Sequence, residues 1–211
     1  MFVLSAISFL IVASVFSVGT ILAVIDFPLQ NFPLVQVMGG MLGFLAASVL
    51  SGKFVVLIHE LKHKLLIGIV GAKTKSLEVH DNESGSIEFE YTTAVKNFIP
   101  FIALAPYFLP ILTLLTTPFW TIFWGTTTGL KRTIFAYVAM FDICFNMREL
   151  HPNQSDLEIV PGGRTIALIF IYSFNLTFFN ILLLMILDGP GLILKSLNNS
   201  INLIITLFYV F

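Results

Sequence analysis

The sequence predicts an all-α polytopic membrane protein of about six transmembrane helices, with a small β-hairpin after the second. Three observations carry that prediction. Of the 211 residues, 57% are hydrophobic and 11% charged, against about 45–50% and about 25% in an ordinary soluble domain. The apolar residues fall into long runs, the signature of helices that cross lipid. One polar stretch, 73–97, interrupts them with a period of two. The chain is therefore read as a single integral membrane domain over 1–211, multi-pass in the cell membrane, with no stretch left for a soluble catalytic domain. Its net charge of -1 leaves no basic face to neutralise a run of phosphates, so nucleic acid is excluded as a partner. Cys144 is the single cysteine, which excludes an intrachain disulfide and a Cys-based metal cluster.

Met1 to Ile25 carries no charge and is long enough to cross about 30 Å of hydrocarbon. It lacks the positive start of a secretory signal and reads as a span that is kept. Asp26, Pro28 and Pro33 mark a turn, and a second run from Leu34 to Ile58, broken only by Lys53, ends at His59-Glu60-Leu61-Lys62-His63-Lys64. Leu77 and Val79, then Ile87, Phe89 and Tyr91, alternate around Asp81-Asn82-Glu83-Ser84-Gly85, which predicts the hairpin. From Asn97 to Leu130 no residue is charged, but Pro100, Pro106, Pro110 and Pro118 predict a bent span followed by a re-entrant or interfacial piece. A short fourth span from about Thr133 to Met147 contains Asp142. A polar loop over 148–164 follows, then a fifth span, Thr165 to Leu187, and a weaker sixth, Gly191 to Phe211. Trp120 and Trp124 are expected as interfacial anchors.

Lys62, Lys64, Lys73, Lys75 and Lys96 flank the hairpin, so the positive-inside tendency puts loop 73–97, loop 148–164 and both termini in the cytoplasm. Lys131 and Arg132 fall on the opposite side, against that tendency.

His59-Glu60-Leu61-Lys62-His63 is an H-E-x-x-H sequence. On a helix its two imidazoles point the same way and can share one ion, which is half of a zinc site. Glu60 lies about 100° round from His59, near enough to serve as general base without being a ligand. The alternative is that these are simple polar residues at a helix exit. A third ligand is required, and a carboxylate is the leading type. Three aspartates compete. Asp156 lies on the loop that the crossing count puts on the side of His59 and His63, and is preferred. Asp142 lies inside the fourth span, where its ordinary role is pairing with Arg148 or hydrogen bonding through Asn146. Asp188, in Leu187-Asp188-Gly189, falls at the far end of the fifth span, where an Asp-Gly-Pro turn is its ordinary reading.

These residues resemble the site-2-protease family of intramembrane zinc metalloproteases over roughly 34–188: an H-E-x-x-H at the end of an apolar helix, an amphipathic hairpin directly after it, then spans leading to an aspartate. The resemblance implies one zinc ion per chain held by His59, His63 and an Asp, with Glu60 as catalytic base. It also implies peptide cleavage in a membrane-embedded or membrane-adjacent substrate segment, so the partners are a membrane-protein substrate and the bilayer. The commoner family pattern has a small residue where this chain has Lys62. Asn180 with Leu187-Asp188-Gly189 matches the outer spacing of the family's second motif but has Leu183 in place of its proline. Leu104-Ala105-Pro106-Tyr107-Phe108-Leu109-Pro110 and Gln154-Ser155-Asp156-Leu157 look like a shorter, more divergent branch, which implies Asp156 as the ligand.

Asn146, Asn175 and Asn180 are expected either to bond between helices or to line a water path. The hairpin is expected either to pack on the membrane surface or to hold an unwound substrate along its edge. The competing class is a non-enzymatic membrane subunit or small transporter whose motif is fortuitous or decayed.

Overall fold

The computed structural model describes residues 1–28, 33–80, 85–90, 92–93, 95–123, 129–151 and 154–210. Its helices are α1 (Phe2–Ile25), α2 (Leu34–Val49), α3 (Lys53–Ile69), α4 (Ile99–Phe108), α5 (Ile111–Phe123), α6 (Gly129–Arg148), α7 (Gly163–Leu187) and α8 (Pro190–Val210). Strands β1 (Lys73–Val79) and β2 (Gly85–Glu90) form an antiparallel hairpin between α3 and α4. The tip residues 81–84, Tyr91, Trp124 and the side chain of Trp120 lie outside the described residues, and with them the two expected interfacial anchors.

One expected long element is broken, and the proline-rich region bends as expected. The second run is not one helix: α2 and α3 meet at a 106° bend. The break falls at Ser51-Gly52, where Gly52 takes φ 76 and ψ -161, a conformation that only glycine adopts readily. The metal motif therefore lies in the middle of a separate helix and not at the exit of a straight span. In the proline-rich region α4 and α5 meet at 85°, as a bend at Leu109-Pro110 requires.

Three helices among the described residues are long and apolar enough to cross a membrane, Phe2–Ile25, Gly163–Leu187 and Pro190–Tyr209, or five if each bent pair counts as one span. The expected count of six is not reached, because α6 carries Lys131, Arg132, Asp142 and Arg148. Large apolar side chains such as Leu4, Ile11, Ile21, Met41 and Phe208 point outward, which suits a helix whose solvent is hydrocarbon.

α1 lies against α7 and α8, and α2 runs along α6. The α2–α6 seam is close because Gly39, Gly40, Gly43 and Ala47 form a buried small-residue face on α2. Arg148 at the end of α6 donates to the Ala47 carbonyl at 2.7 Å, satisfying one of the last carbonyls of α2. An aromatic and aliphatic cluster of Phe2, Leu104, Tyr107, Phe108, Leu157, Val160 and Phe170 joins α1, α4, α7 and the loop before α7. Leu157 and Val160, 1% and 2% exposed, bracket the loop and hold Asp156 in place.

Candidate metal centre

α3 has the reverse of the usual amphipathic order: His59, Glu60, Lys62 and His63 are buried, while Leu61 is 40% exposed. In a membrane that order puts the apolar face toward lipid and the polar face toward the other helices. The His59 and His63 rings, one turn apart, have centroids separated by 5.0 Å.

Both rings are held from behind. His63 Nδ1 is 2.7 Å from the Ile102 carbonyl of α4. A carbonyl only accepts, so Nδ1 carries a proton, and a neutral ring then has its lone pair on Nε2. His59 Nδ1 lies 3.2 Å from Glu149 Oε2 at the end of α6, the same arrangement with a carboxylate acceptor. The two Nε2 atoms converge on Asp156 Oδ2, each at 3.6 Å. One ligand atom from each of His59, His63 and Asp156 lies within 4.8 Å of the others.

This donor set fits zinc. Ligands about 2.1 Å from a tetrahedral ion stand about 3.4 Å apart, close to the 3.6 Å from Asp156 Oδ2 to each Nε2, and two neutral imidazoles plus a carboxylate would leave one position open. Burial alone would raise the Asp156 pKa, but without a metal the histidines, with protons on Nε2, hydrogen-bond to the carboxylate and hold it below the ordinary range; a bound ion would take the place of those protons. Tyr107 donates its hydroxyl to the same Oδ2 at 3.1 Å.

The other two aspartates are elsewhere. Asp142 Oδ2 accepts from the Thr113 amide at 2.6 Å and from its hydroxyl at 2.8 Å. It thereby satisfies a first-turn N–H of α5 that has no partner within its own helix. These partners differ from the Arg148 or Asn146 anticipated for it. Asp188 caps the far end of α7, 25 residues from its start, or about 37 Å along the axis.

Lys62 is only 1% exposed. Its ammonium donates to the Pro106 carbonyl at 3.1 Å and to Asn146 Oδ1 at 2.5 Å, and lies 4.7 Å from the centre of the Phe145 ring. A buried cation needs such company, and here it ties α3 to α4 and α6. A small residue at this position would leave that space empty. Asn146 donates onward to Asn175, which donates to the Tyr107 carbonyl at 2.8 Å, and Asn180 donates to Ser17 at 2.8 Å. All three asparagines bond between helices.

A cavity of about 640 Å³ opens beside the rings, bounded by His59, Glu60, His63, Asp156 and β2. Glu60 is covered by the hairpin: a Cβ on Gly85 would stand 2.5 Å from Glu60 Oε1. β2 has β1 on one side and no second strand partner among the described residues. Ile87 and Phe89 root the hairpin on Ile67, Val95 and Ile102.

Comparison with protein-family models, curated proteins and solved structures finds no match.

Sequence reasoning did not find Glu149, Tyr107 or the contact of Gly85 with Glu60. Glu149 is 90 residues from His59, in a stretch with no ligand spacing. The expected effect of Glu149→Ala is a 10–100-fold loss of zinc affinity with helix content unchanged, measured by competition with a chromophoric chelator. Loss of helix content in parallel would instead mark Glu149 as structural.

Proposed function

We propose that this chain is a zinc-dependent intramembrane endopeptidase of site-2-protease character. The observation that carries the reading is the convergence of His59 Nε2, His63 Nε2 and Asp156 Oδ2 beside a buried Glu60 and a cavity edged by a strand. His59, His63 and Asp156 would hold the metal. Zinc, when bound, polarises the scissile carbonyl and makes water acidic enough to attack near neutral pH. Glu60 takes the proton of the attacking water on its carboxylate and delivers it to the leaving amine. Glu149 and the Ile102 carbonyl keep both Nδ1 atoms protonated, so each ring presents a lone pair to the ion.

A transmembrane substrate hides its peptide groups in its own helix, so cleavage needs a locally extended segment. The edge of β2 away from β1, which has no strand partner among the described residues, would offer backbone hydrogen bonds to such a segment alongside Glu60, the binding mode of strand addition. Counting each bent pair as one span and adding α6 gives six spans, with Asp142 satisfied internally by Thr113. The lysines around the hairpin favour a cytoplasmic site and cytoplasmic termini.

The test is cleavage of a fluorogenic single-span substrate by purified protein in proteoliposomes. Activity should disappear with a zinc chelator and return when zinc is added. Stoichiometric zinc without cleavage of any single-span substrate, or no zinc at all, would favour a non-enzymatic membrane subunit.

Gly85→Val probes the hairpin. A side chain there cannot coexist with Glu60 as placed, and a displacement of about 1 Å at a reacting group lowers rates by about 100-fold. Zinc content should be unchanged, since Gly85 touches no ligand. Wild-type cleavage by this variant would remove the hairpin from the mechanism.

A further inference from the structure

Two prolines four residues apart, Pro106 and Pro110, lie on the segment that faces the histidine helix. In an α-helix each N–H donates to the carbonyl four residues earlier, and proline has no N–H to give. Pro106, inside α4, therefore leaves the Ile102 carbonyl without its helical donor. The Pro106 carbonyl lies in the last turn of α4, where the extended Leu109 ends the helix, and Pro110 just beyond offers it no N–H either. Ile102 is 2% exposed and Pro106 less than 2%, so neither carbonyl can turn to water.

Both missing donors come from the metal motif. His63 Nδ1–H reaches the Ile102 carbonyl at 2.7 Å, and Lys62 Nζ reaches the Pro106 carbonyl at 3.1 Å. The repeat of the prolines, four residues, is matched to adjacent polar positions on the buried face of α3. The Lys62 charge also faces the C-terminal, partially negative end of α4.

We propose that Pro106 and Pro110 are positioning residues of the metal centre: by withholding N–H groups they reserve two α4 carbonyls for His63 and Lys62. The Ile102 carbonyl then fixes the tautomer and rotation of the His63 ring, and the Pro106 carbonyl seats α3 against α4. The proposal rests on reading His63 as a ligand. An ordinary residue at position 106 would bring a donor already aligned with the Ile102 carbonyl. That local bond would compete with the imidazole for the carbonyl, and a neutral ring could then turn and carry its proton on Nε2 instead of Nδ1, which removes the lone pair aimed at Asp156.

Three full-length forms in detergent decide this: wild type, Pro106→Ala, and a chain with the α-hydroxy analogue of alanine at 106, whose backbone ester also lacks a donor. Each is read by thermal unfolding, by zinc affinity in chelator competition, and by the imidazole nitrogen shifts of His63 in the metal-free protein. Proline is a poor residue for a helix interior, so Pro106→Ala should unfold at the same temperature or higher. Its zinc affinity should nevertheless fall 10–100-fold, with His63 shifted from the Nδ1–H form toward a mixture. The ester form should return both to wild-type values.

Wild-type affinity and tautomer in Pro106→Ala, or an ester form that behaves like alanine, would overturn the proposal. So would failure of Pro106→Ala to fold, since that assigns the proline a purely structural part. The metal-free His63 tautomer also separates this inference from the enzymatic one: absence of zinc binding by the wild type refutes the metal centre, while the tautomer still reports whether the proline governs the ring.

Discussion

Asp156→Ala removes bound zinc and peptide cleavage together, whereas Asp188→Ala and Asp142→Asn retain the metal. The expected loss of affinity exceeds about 100-fold, the upper end of what supporting residues around a metal contribute. The reason is geometric. Asp156 Oδ2 stands 3.6 Å from each Nε2, while Asp188 is separated from the site by the length of α7. Asp142 is committed to the amide and hydroxyl of Thr113, and asparagine can still accept one of those bonds. Its replacement should therefore lower the unfolding temperature without touching zinc stoichiometry. Metal analysis of the three purified variants checks the set, and zinc retained at full stoichiometry in Asp156→Ala would refute the assignment.

Glu60→Gln separates chemistry from binding. Glutamine fills the same volume and leaves His59, His63 and Asp156 in place, so zinc should remain at one per chain. Cleavage should fall by about 100–10,000-fold, the range that a positioned general base contributes. The comparison is sharpest in kcat at saturating substrate. A drop confined to KM would make Glu60 a binding residue, and full activity would dismiss it as the base.

The membrane class and the hairpin are legible in the sequence because they depend on composition and on a period of two, both local properties. Leu77 pairs with Ile87 in the antiparallel register that the alternation implies, and an irregularity between Thr74 and Ser76 then shifts the register so that Thr74 opposes Phe89. The H-E-x-x-H spacing is equally local: a helix brings positions four apart to one face whatever surrounds it. The break at Gly52 is less visible, because one glycine in an apolar run reads as a tolerated interruption unless the tertiary structure turns there. The span count differs for another reason: the sequence reading takes the apolar run in α6 as a span, whereas the whole helix also carries Lys131, Arg132, Asp142 and Arg148.

What local pattern does not carry is the supporting shell. Glu149, Tyr107 and the Ile102 carbonyl reach the site from α6 and α4, and no sequence interval predicts that meeting. Lys62 shows the limit from the other side. Against the commoner small residue it reads as a departure, yet its ammonium finds a carbonyl, an amide oxygen and an aromatic face. The two prolines, by contrast, read as helix breakers in the sequence itself. Their second consequence, carbonyls left without donors, becomes legible only beside α3.

The coordination shell of bound zinc tests the account most directly, and X-ray absorption at the zinc edge on the purified protein measures it. The account predicts one zinc per chain, two imidazole nitrogens and oxygen ligands at about 2.0–2.2 Å. It further predicts that one imidazole disappears from the spectrum of any zinc-bearing His59→Ala or His63→Ala chain. A shell without two imidazoles, or one that is unchanged when those histidines are replaced, would contradict it.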